Sequence, residues 1–247
     1  MNIADFLDST YLKTPQQSGL SGEETVQKVV ELTEEAITNG IFAVMIRPDY
    51  VAAVKKMIAD KNAHVKLGTV IGFHEGTYSL QEKFAEAEKA IADGADELDF
   101  VINYQEYLKG NIDVVKEEFL QCTKLCLNHQ KIAKWIIEIA ALSDKQIADI
   151  TKKIATWAEE NFEEKDLQNI FVKSSTGFFV TENGKPNGAT FEGIKIMLNN
   201  AGKLPVKAAG GVRTPEDAEK MIALGVKRIG TSSALALLKN QSSEEGY

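Results

Sequence analysis

The sequence predicts an α/β chain closed into a (β/α)8 TIM barrel, on three observations. Short apolar runs rich in β-branched and aromatic residues recur eight times along 247 residues, about 30 residues apart, the length of one strand–helix unit. The runs are nearly continuous in apolar residues, as strands covered on both faces are, and amphipathic segments with helix caps separate them. The turn after the first run, DSTYLKTPQQSG, lacks the GxGxxG that an open doubly wound sheet would carry there.

The first run, DFLDSTYL (Asp5 to Leu12), is the weakest. Gly40 closes the helical segment after it, and IFAVMI (Ile41 to Ile46) and VKLGTVIG (Val65 to Gly72) follow. Ser79 precedes LQEKFAEAEKAIADG with Glu82 three residues on, a capping box, and Gly94 stands where a glycine ends the helix. Next come ELDFVI (Glu97 to Ile102), the helical VVKEEFLQCTKLCLNH and AKWIIEIA (Ala133 to Ala140). Ser143 opens DKQIADITKKIATWAEE, and NIFVKSS (Asn169 to Ser175) and PVKAAG (Pro205 to Gly210) follow. Thr214 and Pro215 open PEDAEKMIALG, Gly225 closes it, and KRIGTSS (Lys227 to Ser233) is the eighth run. No linker, low-complexity stretch or charge block splits the chain, so residues 1–247 are expected to form a single domain.

The charge balance is 28 Lys and Arg against 36 Asp and Glu, a net −8, with the acids scattered through helical segments. That argues against wide contact with nucleic acid or an anionic membrane. No stretch approaches the roughly 18 apolar residues of a membrane span, and MNIADFLDST lacks a signal-peptide layout, so a cytoplasmic location is expected. Cys122 and Cys126, four apart on one helix face, are expected to be reduced core residues. His64, His74 and His129 sit in separate segments with no other ligand at metal spacing, so metal-free chemistry is expected.

In such a barrel catalytic groups stand at the C-terminal ends of strands, so a polar residue inside an apolar run is the signal to look for. Lys173 in NIFVKSSTGF has Phe171, Val172, Ser174 and Ser175 as neighbours, surroundings that should desolvate an ammonium and lower its pKa. A single strand lysine is more often paired with a carboxylate or reaching out of the strand end. Lys207 in PVKAAGGVRT shifts that balance, because it occupies a similar place one strand on. If both point into the barrel mouth, each disfavours the other's charge. A lysine beside a cation in a dry pocket becomes a nucleophile near neutral pH, the arrangement a Schiff-base enzyme needs. Asp99 in ELDFVI adds a carboxylate placed to shuttle protons; a structural ion pair with one lysine is the alternative and does not exclude that role. Turns follow the last three runs: SSTGF, AGGVRT and GTSSAL. Gly177, Gly210 and Gly211 would let backbone N–H groups approach an anion, and Ser232 and Ser233 would open the closing helix, which together suggests a phosphate cradle. Simple turn geometry explains a lone glycine turn equally well.

The set GADELDFV, FVKSSTGF, GAT, VKAAGGVRT and GTSSALALL, in that order and spacing, resembles the deoxyribose-phosphate aldolases, which are class I aldolases. The likeness runs from the first strand to the C-terminus. It implies that Lys173 forms the Schiff base, with Lys207 and Asp99 as the family's second lysine and its aspartate. It also implies substrate and phosphate contacts at Thr176, Gly177, Gly210, Gly211, Ser232 and Ser233. A C-terminal tyrosine helps move the α-proton in some members, which falls on Tyr247, on a tail of about residues 240–247 reaching toward the site. The implied activity is reversible cleavage of 2-deoxy-D-ribose 5-phosphate to acetaldehyde and D-glyceraldehyde 3-phosphate, in deoxyribonucleotide catabolism. The implied partners are small phosphorylated sugars and aldehydes, with no metal or other cofactor, no nucleic acid and no membrane. Barrels of this kind often pair through helix faces, which leaves a homodimer open.

Three positions depart from the family pattern. Asp8-Ser9-Thr10-Tyr11-Leu12 stands for D-H-T-L-L, Phe73-His74-Glu75-Gly76 for F-P-x-G, and the IIEI ending at Ile139 for IIET. These changes bear on substrate preference more than on reaction type. The rival expectations are a transaldolase-like or keto-acid aldolase using the same lysine, and a phosphate-metabolite-binding barrel that does no chemistry.

Overall fold

The computed structural model describes residues 2–182 and 184–241. Its strands are β1 (Leu7–Thr10), β2 (Ala43–Ile46), β3 (Lys66–Ile71), β4 (Glu97–Val101), β5 (Ile132–Ile136), β6 (Ile170–Lys173), β7 (Val206–Ala209) and β8 (Arg228–Thr231). They pair in parallel and in chain order, and β8 returns to β1 with Asp8 opposite Gly230, so the sheet closes into a barrel. Each strand lies inside the apolar run that predicts it, except that β5 begins one residue early, at Ile132.

Helices cover the outside. The segment after β1 holds α1 (Pro15–Ser18) and α2 (Gly22–Asn39), then α3 (Val51–Asp60) follows β2 and α4 (Leu80–Ala92) follows β3. Next are α5 (Tyr104–Leu108) and α6 (Ile112–Asn128) after β4, α7 (Asp144–Asn161) after β5 and α8 (Phe191–Asn200) after β6. The last are α9 (Pro215–Leu224) after β7 and α10 (Ala234–Leu238) after β8. Their starts are fixed locally. Ser21 with Glu24, Ser79 with Glu82 and Ser143 with Gln146 form reciprocal capping boxes, each satisfying N–H groups that the first turn leaves without partners. Gly40 and Gly225 end α2 and α9 in the left-handed region, at φ 65° and 112°, where a side chain would be strained.

The period-2 alternation of the strands separates two kinds of interior. Outward residues pack against helices: Phe100 of β4 stacks on Trp135 of β5 at 4.8 Å, and Phe119 of α6 covers Trp135 at 5.3 Å. The indole N–H of Trp135 donates to Thr123 Oγ1 at 2.9 Å, so this large buried ring leaves no polar atom unpaired. Cys122 and Cys126 lie in the same layer, both buried and unoxidised. Inward residues of β1 and β4 to β8 are largely charged. Parallel register sets Asp99 opposite Lys134, Lys173 opposite Lys207, and Lys207 opposite Arg228. Among the described residues, no helix is long and apolar enough to cross a membrane.

Candidate active site

Strand order decides which of these inward charges meet. Asp99, in the middle of β4 and fully buried, receives three ammonium groups. Lys173 lies at 2.7 Å, Lys134 at 2.8 Å and Lys207 at 2.8 Å. Lys207 also pairs with Asp8 on β1 at 2.6 Å, and Lys134 with Glu97 on β4 at 2.6 Å. Arg228 on β8 joins the remaining ends: its Nε donates to Asp8 at 2.7 Å, and two guanidinium nitrogens donate to Glu97 at 3.0 and 2.9 Å. Such a dry charged cluster persists only because nearly every lone pair and N–H is matched.

The environment separates the two lysines predicted from sequence. Burial is the main cause that brings Lys173 down to about 8; Lys207 and Lys134 act in the same direction, and the pull of Asp99 only partly opposes them. Lys207 goes the other way. Burial would lower it, but Asp8 and Asp99 together hold it above the ordinary lysine value. The mutual discharging expected from sequence is therefore one-sided: Lys207 stays charged and Lys173 yields. Burial alone would raise Asp99, yet Lys134, Lys173 and Lys207 hold it well below the usual carboxylate range.

The loops at the C-terminal ends of β6, β7 and β8 surround this cluster. Thr176 is 2% exposed, and its N–H and hydroxyl both donate to the Glu138 carboxylate, the former at 3.1 Å. Gly177 follows at φ 82°, and Gly210 and Gly211 after β7 take φ 72° and 77°, so both turns need glycine's freedom. Gly188 packs so tightly on the β7 turn that a Cβ there would lie 2.5 Å from the Gly210 carbonyl carbon. Ala189 locks that contact by donating its N–H to Ala209 O and Gly210 O, each at 3.0 Å. Ser232 and Ser233 stand just before α10, whose five residues provide little dipole, and the Ser233 N–H donates to Thr231 Oγ1 at 3.0 Å. A cleft of about 540 Å³ opens here between Thr10, Lys13, Gln17 and Ser232, and another of about 470 Å³ between Lys13, Gly177, Phe178 and Asn187. Lys173 lines neither and is 3% exposed.

Residues 8–242 match the sequence model of the DeoC/LacD family of aldolases. The chain belongs to the DeoC/LacD aldolase family. It is 38% identical over 238 residues to the deoxyribose-phosphate aldolase of Caldicellulosiruptor saccharolyticus, covering 96% of each chain. It is 36% identical to that of Thermococcus gammatolerans, covering 99% of each. Among solved structures, the tetrameric deoxyribose phosphate aldolase of Aeropyrum pernix superposes with a TM-score of 0.77 at 28% identity, covering 96% of this chain and 89% of that one.

The structure thus gathers Lys173, Lys207 and Asp99 at one point of this aldolase barrel and rings them with the loops of Thr176, Gly177, Gly210, Gly211, Ser232 and Ser233. Tyr247 lies outside the described residues. Sequence reasoning missed Asp8, Glu97, Lys134, Glu138 and Arg228. The signal was present, because each is a charged residue inside one of the eight apolar runs, the same feature that singled out Lys173. The ion pair foreseen for Asp99 with one lysine is a contact with three. Among the described residues, no group of three or more His, Cys, Asp or Glu could hold a metal ion.

Proposed function

We propose that this family member is a deoxyribose-phosphate aldolase, cleaving 2-deoxy-D-ribose 5-phosphate reversibly to acetaldehyde and D-glyceraldehyde 3-phosphate. One observation carries the assignment of the nucleophile: Lys173 is a buried amine poised at about 8, held 2.7 Å from a carboxylate that two further lysines keep ionised. At neutral pH an appreciable fraction of Lys173 is therefore free amine, which attacks the open-chain aldehyde carbon. Loss of water leaves an iminium. Electrons of the C2–C3 bond flow into it as the C3 hydroxyl gives up its proton, releasing D-glyceraldehyde 3-phosphate and leaving an enamine. Protonation of the enamine carbon and hydrolysis then return acetaldehyde and the free lysine. The iminium is the electron sink, so the route draws on no metal or other cofactor.

Asp99 and Lys207 are assigned the relay that accepts the C3 hydroxyl proton; their 2.8 Å contact supports that assignment. Tyr247 is assigned the protonation of the enamine carbon, from the family resemblance. The glycine turns at Gly177, Gly210 and Gly211, with Thr176, Ser232 and Ser233, are assigned the phosphate end of the sugar, whose binding orients the reacting carbonyl. The single-barrel organisation, the cytoplasmic location and association as a homodimer belong to the same proposal. Light scattering separates a homodimer from a tetramer like that of the Aeropyrum pernix relative.

Borohydride reduction in the presence of 2-deoxyribose 5-phosphate, followed by peptide mapping, tests the mechanism. The expected result is one stable adduct on Lys173, absent from Lys173→Ala together with turnover. A fully folded chain that yields no adduct would overturn it.

A further inference from the structure

Asp8, Lys207, Asp99, Lys134, Glu97 and Arg228 close into a circuit in which charges alternate in sign. Each cation in it touches two carboxylates: Lys207 touches Asp8 and Asp99, Lys134 touches Asp99 and Glu97, and Arg228 touches Glu97 and Asp8. Three positive and three negative groups make the circuit electrically complete by itself. Lys173 hangs from it through Asp99, its one ion-pair partner among the described residues. It is thus the fourth cation on three ion-paired carboxylates, in an interior where an unmatched charge is costly; Glu138, whose carboxyl burial holds up to about 7, is the other acidic group that faces it.

We propose that Glu97 and Arg228 are positioning residues that close this circuit and thereby make Lys173 the one cation the barrel interior can discharge. The inference rests on Lys173 being the Schiff-base nucleophile. Neither residue contacts Lys173; Arg228 reaches it only through Asp8, Lys207 and Asp99 on one side, and through Glu97, Lys134 and Asp99 on the other. The groups that face Lys173 are Asp99 on β4, Lys134 on β5, Lys207 on β7 and Glu138 at the end of β5. Glu138 is kept in every variant below, and a charge removed from the circuit moves its carboxyl in the same direction as Lys173.

The circuit gives opposite signs for its two distal members. Without the Arg228 charge two cations face three carboxylates, so Lys173 is required as a cation and holds its proton more tightly. Without the Glu97 charge three cations face two carboxylates, and Lys173 gives up its proton more readily. Removing both leaves Asp8, Lys207, Asp99 and Lys134, two of each sign, and the balance returns. Imine formation needs the free amine, so these changes are read directly in its pH dependence.

The experiment measures the rate of borohydride-trapped adduct formation with 2-deoxyribose 5-phosphate as a function of pH. It compares the unsubstituted chain, Arg228→Met, Glu97→Gln and the double variant. Arg228→Met should move the acidic limb toward alkaline pH by on the order of one unit, what one charge roughly 12 Å away contributes at an effective dielectric of about 20. Glu97→Gln should move it toward acid pH, and the double variant should lie close to the unsubstituted chain. Should Arg228→Met fail to fold, Arg228→Gln, which keeps donors for Asp8 and Glu97 while dropping the charge, takes its place with the same expected shift. Single-variant limbs that both stay put, or that move in the same direction, would overturn the inference alone. An unsubstituted chain that forms no adduct at any pH would overturn the aldolase assignment, and this inference with it.

Discussion

Lys173 and Lys207 are the same residue type on adjacent strands, yet one is poised to lose its proton and the other to keep it. The difference is in their carboxylates. Lys207 touches two, Asp8 and Asp99, whereas Lys173 shares Asp99 with two other lysines. Lys207→Leu removes a cation beside Asp99, which then serves Lys173 more fully. The Lys173 pKa should rise from about 8, and the acidic limb of kcat/KM should move to higher pH on a lowered maximum, since the relay assigned to Lys207 is lost as well; an unmoved limb would count against an electrostatic role for Lys207. Glu138 is unusual in a different way. Its backbone is left-handed at φ 56°, and burial pushes its carboxyl up to about 7 despite the two hydrogen bonds from Thr176. A carboxyl raised in the folded state contributes stability that is complete below its unfolded value near 4.5 and is lost as pH rises through about 7. Glu138→Gln should flatten that decline, worth about 3 kcal/mol across the window, in urea denaturation repeated over pH.

The loops position the chemistry as much as the strands do. Glu138 fastens the start of the loop after β6, and Gly188 and Ala189 near the end of that loop fasten the turn after β7, so one loop reaches both turns assigned to phosphate. Gly188→Ala would place a methyl 2.5 Å from the Gly210 carbonyl carbon, a distance real Cβ atoms do not show, and the β7 turn must shift. The expected outcome is a KM for 2-deoxyribose 5-phosphate raised about tenfold, a loss of about 1.4 kcal/mol, with unphosphorylated deoxyribose turned over as before. Equal losses with both sugars would move the phosphate away from this turn. At the opposite side of the mouth, His74 fills the place where the family pattern has proline. Its ring stacks on Phe178 with centroids 5.5 Å apart, and Phe178 also meets Phe73 edge-on at 5.1 Å. The departure foreseen as bearing on substrate preference is an aromatic contact between the loops after β3 and β6. At Ile139 the hydroxyl is missing from a residue only 6% exposed, but its backbone N–H donates to Ser174 O at 2.9 Å, so the tie to the β6 turn does not need it.

The molecule keeps two interiors with different chemistry. The layer between sheet and helices is apolar and carries the hydrophobic stabilisation, while the barrel itself holds a charge network that tolerates few vacant partners. A second buried pair, Lys83 of α4 with Glu118 of α6 at 2.6 Å, ties two covering helices to the end of β4, since Lys83 also donates to Val101 O at 2.8 Å. Acid should therefore unfold the protein through the barrel. Arg228, Lys207 and Lys134 outweigh the effect of burial on Asp8 and bring it to about 2, and Asp99 is lowered in the same direction. Carboxyls depressed in this way contribute stability that is present above their unfolded value near 3.8 and lost as pH falls through the folded one. Asp8 alone accounts for about 2 kcal/mol. Far-ultraviolet circular dichroism during acid titration should show loss of structure beginning below about pH 4, and Asp8→Asn should remove part of that dependence; a titration unchanged by the substitution would refute it.

Local chemistry made the fold legible in advance. Eight apolar runs, capping boxes at Ser79 and Ser143 and terminal glycines at Gly40, Gly94 and Gly225 act over a few residues, and each appears where the sequence places it. Lys173, Lys207 and Asp99 were legible too, because an isolated charge in an apolar strand has few explanations. What only the tertiary structure decided is how those charges are shared. Asp99 and Lys207 are 108 residues apart, and Asp8 and Arg228 are 220 apart, and only closure of β8 onto β1 brings Arg228 to Asp8. The protonation of a buried lysine depends on the sum of all neighbouring charges. That sum is a property of the closed barrel and cannot be read from the residues flanking Lys173.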